Sequence, residues 1–222
     1  MLQAFPTKKG TGVEIYGDYA DLYSLYQTVH KIANTLDENN SHQKSQHQLL
    51  MNFAYEIRKG YSGNRLIDDI SFIGDNTKLH YYGFQLVWTD ILIFISTLRH
   101  NAGYINTEKL DHANIYMLEY IVEKALFAYD AEGANNIQHF IGQRINITNP
   151  LSFVIYQALQ IKYVTEPSGK KRFRNIPNLL ITHFSEWLPE YKELVRSLEI
   201  SAKEHNCDIT DLEFEDFPEI KW

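Results

Sequence analysis

Hydrophobic and polar positions divide this chain into a short alternating part and a longer helical part. The most apolar run is Leu79 to Arg99, LHYYGFQLVWTDILIFISTLR. Its first half alternates, with Tyr82, Phe84, Leu86 and Trp88 on one face and Leu79, Tyr81, Gly83, Gln85 and Val87 on the other. A period of two predicts a strand. At Thr89 the pattern changes. Thr89 is a suitable helix cap, and Asp90 then falls in the first turn, where its charge meets the positive end of the helix. Ile91 to Ile95 are apolar all round, so this helix is expected to be buried on most sides. A membrane span is excluded, because a carboxylate at its centre would cost about 2.5–3.5 kcal/mol on insertion scales.

Upstream, Leu2 to Pro6 and Thr11 to Tyr16 flank the polar, Gly-ended loop Thr7-Lys8-Lys9-Gly10, the pattern of a hairpin. Asp18 is placed to cap a helix with Leu22, Leu25, Tyr26, Val29, Ile32, Ala33 and Leu36 on its inner stripe. The polar stretch Asp37 to Gln46 reads as a mobile surface loop. Leu49 to Lys59 returns to helix, and a strand is expected over Ile70 to Ile73, closed by Gly74-Asp75-Asn76. From Thr107 onward the pattern is helical, beginning with a long helix whose predicted inner stripe is Leu110, Met117, Leu118, Ile121, Ala125 and Ala128. A short helix over Ala134 to Phe140 follows, and Asn149-Pro150 starts the next. Ser168-Gly169 marks a loop carrying Lys170, Lys171, Arg172 and Arg174, and Pro177 and Pro189 open two further helices. These elements predict an α+β fold, mainly helical, with a small antiparallel sheet of about four strands from the N-terminal hairpin and the central stretch.

Composition bounds the rest. A chain of 222 residues buries roughly 70% of its unfolded surface on folding, enough for a core without covalent staples. Nothing resembles a linker, so residues 1–222 are expected to form a single domain. The acidic, aromatic segment 208–222 is expected to pack back through Leu212, Phe214 and Phe217, some of its acids facing Lys170 to Arg174. One cysteine, Cys207, and no charged-then-apolar leader predict a cytoplasmic protein. A net charge of −7 argues against a general nucleic-acid binder.

The segments GTGVEIYGDYADLYSLYQTVHKI, YYGF and LRHNAGY resemble a family of bacterial proteins known only as a domain of unknown function. The resemblance covers the N-terminal third and the central stretch. It implies a soluble bacterial protein and transfers no activity and no site.

Candidate chemistry is sparse. HExxH, CxxC and GxSxG are missing, and Gly10-Thr11-Gly12 precedes a strand where a dinucleotide site needs a glycine pair after one. His205-Asn206-Cys207 is too close in sequence to act as a base and nucleophile pair. Asp90, lying between two buried segments, is the foremost acid–base candidate, although a helix-end charge explains it too. Asp18 and Tyr16, with Asp21 and Tyr19, could line a cleft at the start of the first helix. His100, Asp111 and His112 could meet as metal ligands if the turn at Gly103 folds two helices together. Lys170, Lys171, Arg172 and Arg174 form the local cation cluster that could touch nucleic acid. No cofactor is expected. The leading expectation is a non-enzymatic interaction or assembly protein, self-associating or bound to a protein partner. The alternatives are an enzyme using the carboxylates and tyrosines near Asp18 and Asp90, or a nucleic-acid accessory acting through residues 170–174.

Overall fold

The computed structural model describes residues 1–71, 78–214 and 217–222. Four strands, β1 (Gln3–Pro6), β2 (Gly12–Gly17), β3 (Leu66–Ser71) and β4 (Lys78–Val87), form one antiparallel sheet in the order β1-β2-β4-β3. The first hairpin turns at Gly10, whose φ of 68° is left-handed and where a Cβ would collide with the ring of Tyr129. β2 pairs with β4 from Gly12 against Val87 to Gly17 against Tyr82. The strand expected over 70–73 is β3, which begins four residues earlier; residues 72 and 73, and the closing turn at 74–76, lie outside the described residues.

Two helices, α1 (Tyr19–Ala33) and α2 (Ser41–Tyr61), connect β2 to β3. Asp18 caps α1 as expected: its carboxylate accepts from Asp21 N at 2.8 Å, and Asp21 answers on Asp18 N at 3.3 Å. Most of the stretch expected to be a loop is helical. Asn40 caps α2 by accepting from His42 N, and Ser45 and Gln46 are buried. Polar composition concealed a helix start there, because Asn and Ser are also the residues that open helices.

The alternation in the central stretch ends one residue earlier than expected. β4 passes directly into α3 (Trp88–Ala102), so Trp88 opens the helix and Thr89 is inside it; Val87 holds the cap position without a side-chain cap bond. Every residue from Trp88 to Leu98 is buried, and α3 touches α1 and α2. The remaining helices are α4 (Lys109–Tyr129), α5 (Ala131–Ile137), α6 (Ser152–Thr165), α7 (Lys170–Arg174), α8 (Ile176–Phe184) and α9 (Pro189–His205). Of these, α4, α6 and α8 also contact α3. The fold is α+β and dominated by helix, with α3 at its centre. Each of Ile91, Leu92, Ile93 and Ile95 is fully buried, a side chain of this class contributing about 1.5–3 kcal/mol.

Two further expectations are corrected. On α4 the inner face is Ile115, Leu118, Ile121, Val122, Ala125 and Leu126, while Leu110 is 60% exposed and Ala128 is exposed. The basic loop is the short helix α7, with Arg172 buried in it. Toward the C-terminus, Leu212 is buried, Phe214 N donates to Gln157 Oε1, and Thr11 Oγ1 donates to Lys221 O at 2.6 Å. Asp211 pairs with Lys44 on α2, while Glu219 lines a cavity together with Arg172 of α7. Glu215 and Asp216 lie outside the described residues.

Candidate functional site

Asp90 sits in the first turn of α3 between the buried Thr89 and Ile91, and is only 3% exposed. Two side chains of α6 reach it. Tyr156 and Gln160 are four residues apart, so both lie on one face of their helix. Gln160 Nε2 donates to Asp90 Oδ2 at 2.6 Å and Tyr156 Oη donates to the same oxygen at 3.4 Å. Thr89 Oγ1 approaches Oδ1 at 3.4 Å. All of these partners are uncharged.

That environment sets the carboxyl's proton. Burial pushes Asp90 up to about 8, the hydrogen bonds from Gln160, Tyr156 and Thr89 offset this only in part, and the charge of Glu56 adds to it. At neutral pH the group is a carboxylic acid. The neutral carboxyl carries one O–H, so Asp90 can donate a hydrogen bond as well as accept. Burial and the neighbouring Asp90 together hold the Tyr156 hydroxyl well above its usual range.

Asp90 lines a cavity of about 680 Å³. α2 contributes Asn52, Tyr55 and Glu56 to its wall, the approach to β3 contributes Asn64, Arg65 and Leu66, and the end of β4 contributes Gln85, Leu86 and Val87. Phe94, one turn beyond Asp90, completes the α3 side, and Ile220 and Trp222 close in from the C-terminal segment. Arg65 grips Glu56 as a fork, with Nε to Oε2 at 2.8 Å and Nη2 to Oε1 at 2.9 Å. Concave, partly apolar and furnished with a few convergent polar groups, the cavity has the character of a small-molecule site.

The other candidate residues occupy separate places. Asp18 and Asp21 cap α1, and Tyr16 lies across the sheet from Gly83, where a Cβ would meet its ring. Burial and then Glu14 push the Tyr16 hydroxyl up to about 12. None of Tyr16, Asp18, Tyr19 and Asp21 lines the Asp90 cavity. Asp111 joins α4 to α1, accepting from Lys31 Nζ at 2.7 Å and Thr28 Oγ1 at 3.1 Å. His112 Nε2 lies 2.8 Å from Thr107 Oγ1, and His100 packs on the ring of Tyr104. Among the described residues no three His, Cys, Asp or Glu side chains are grouped to hold a metal ion.

Three of the four cations at 170–174 are engaged within the protein. Arg172 donates to the carbonyls of Tyr163 and Glu166, at the end of α6, and to Thr11 Oγ1. Arg174 and Lys170 both pair with Asp130. Sequence reasoning singled out Asp90 but missed Asn52, Glu56, Arg65, Tyr156 and Gln160. The four-residue spacing of Tyr156 and Gln160 on one face of a helix was the available signal.

A family model described as a domain of unknown function (DUF6904) matches residues 2–222, and the chain belongs to that family. No curated protein and no solved structure matches it. Among the described residues no helix is long and apolar enough to cross a membrane.

Proposed function

We propose that this member of the DUF6904 family binds a small molecule in the Asp90 cavity and acts on it through Asp90 as a general acid. The observation that supports this reading is a buried carboxyl with uncharged hydrogen-bond partners, raised to about 8, lining a cavity of about 680 Å³. Stability alone gives no reason for such a group, because a carboxyl in a dry site costs free energy whenever it ionises. Its use is a proton available at neutral pH, and general acids of this kind work best with a pKa near the working pH.

Burial sets its titration first, then Gln160 and Tyr156 on α6, Thr89 beside it, and the charge of Glu56 on α2. Fragment screening by NMR tests the reading. Hits are expected to perturb Asp90 and Gln160, to weaken as pH rises through about 8, to lose that pH dependence in Asp90→Asn, and to weaken at every pH in Asp90→Leu. Hits that ignore both the pH and the Asp90→Leu substitution would overturn it.

An exposed tyrosine array supports a second reading, an interaction or assembly surface. Tyr19 and Tyr23 stack at 5.7 Å on α1, and Tyr61 of α2 meets both edge-on. Tyr19 is 53% and Tyr23 41% exposed, and tyrosine is enriched at protein interfaces. A reducing, cytoplasmic setting suits the free, exposed Cys207 in either reading. If the array mediates assembly, Tyr19→Ser with Tyr23→Ser should lower the mass seen by sedimentation; an unchanged mass removes self-association.

A further inference from the structure

We propose that the Asp90 cavity takes an uncharged planar heterocycle whose ring edge carries a hydrogen-bond donor beside an acceptor. The proposal rests on the small-molecule reading above and adds the class of ligand. Three features of the wall lead to it.

The first is charge. Glu56 and Arg65 are the lining side chains besides Asp90 that carry charge, and they neutralise each other through the two bonds of their fork. A charged ligand would therefore enter a partly dry site without a free counter-ion, which is costly. The second is the pattern of polar atoms. Gln160 Nε2 donates to Asp90 Oδ2 and Thr89 Oγ1 to Oδ1 at 3.4 Å, so beside the Gln160 carbonyl, which can accept, stands a neutral carboxyl with one O–H to donate. A donor and an acceptor on these two hydrogen-bonded side chains match the N–H and C=O of a lactam or carboxamide edge. Asn52 and Asn64 supply further amides, able both to donate and to accept, while Gln85 spends its amide nitrogen on Glu14 at 2.9 Å. The third is shape. Tyr55, Phe94, Tyr156 and Trp222 give the wall flat apolar faces, on which a planar ring packs well.

The test uses matched probes on the full chain at neutral pH, followed by calorimetry and ligand-observed NMR. Uracil is compared with its carboxylate derivative orotate, nicotinamide with nicotinate, and glucose serves as a neutral, non-planar control. At least one neutral ring is expected to bind, and its carboxylate counterpart to bind about tenfold more weakly or worse, the scale of a buried charge left unpaired. Raising the pH through about 8 should weaken the ring by a similar factor in the unaltered protein. Asp90→Asn, whose amide keeps a donor and an acceptor, should bind it without that pH dependence, and Asp90→Leu should bind it more weakly at every pH. Equal binding of ring and carboxylate overturns the inference about charge, and failure of every ring overturns the ligand class. Glucose binding that Asp90→Leu abolishes, with no ring bound, would overturn the class while leaving the small-molecule site in place. Ring binding that neither Asp90→Leu nor pH affects would sink both.

Discussion

Asp90 and Asp130 are both carboxyls buried at the start of a helix, and they hold opposite protonation states. Asp130 caps α5 and accepts from Gly133 N at 3.2 Å. Arg174 closes on it as a fork, Nε at 2.6 Å and Nη2 at 3.0 Å, with Lys170 Nζ at 3.2 Å. The Arg174 bonds hold its carboxyl far below the usual range, against the opposing effect of burial. Asp90 also stands at a helix start and is as little exposed, but it lies deeper, its partners are Gln160, Tyr156 and Thr89, and its carboxyl is pushed up to about 8. Position at a helix start therefore does not decide the charge of a buried aspartate. A helix end stabilises an anion by about 0.3–1 kcal/mol, too little to offset desolvation of a carboxylate, whereas a bidentate guanidinium can.

Phe94→Ala should have the largest effect and would strike the dry side of the comparison. Phe94 stacks on Phe53 at 5.2 Å and lines the cavity one turn after Asp90. Truncating a core aromatic costs about 3–5 kcal/mol, readable in urea unfolding. The water admitted should also bring Asp90 down toward the ordinary carboxylate range in an NMR titration. A loss below about 1 kcal/mol would show that α3 is not packed as a core helix.

Asp90→Asn should come next, and its effect should depend on pH. The folded pKa of about 8 lies above an unfolded value near 3.9. The folded state thus binds the extra proton between these values, and the stability this contributes is complete below the lower one. It is lost as pH rises through the window, by up to about 1.4 kcal/mol per unit. Asparagine removes that dependence. The variant should therefore gain on the unaltered protein by on the order of 3–4 kcal/mol between pH 5 and 8. A difference that stays flat with pH would mean that Asp90 is already ionised, and the contrast with Asp130 would collapse.

Arg174→Met should give the smallest change, since the guanidinium is partly exposed and Lys170 remains beside Asp130. For Asp130 the sign reverses. A depressed folded pKa contributes stability above the unfolded value and loses it as pH falls. The variant should unfold a few degrees lower at neutral pH, with the deficit shrinking in acid as the carboxyl protonates. A deficit that grew in acid would contradict the pairing.

Much of the fold was legible in the residues because its determinants are local. Alternation up to Val87 followed by an apolar run announces a strand feeding a buried helix, and Asp18 with Asp21 three residues on announces the start of α1. The boundary at Thr89 and the helical start of Asp37 to Gln46 were misplaced, since polar residues that open helices also populate loops. At the site, the sequence marked Asp90 but suggested a helix-end charge. Only the tertiary structure brings Tyr156 and Gln160 to it from 66 and 70 residues away, and walls it with α2 and the C-terminal segment. The same holds for Arg172 and Arg174, whose partners Thr11 and Asp130 lie 161 and 44 residues distant. Periodicity is a property of neighbours along the chain, so the sequence by itself determined most of the helices and strands, though not the start of α2, the inner face of α4 or the short helix α7. Desolvation is a sum over whatever atoms surround a group, so whether a carboxyl keeps its proton was decided by the packed structure alone.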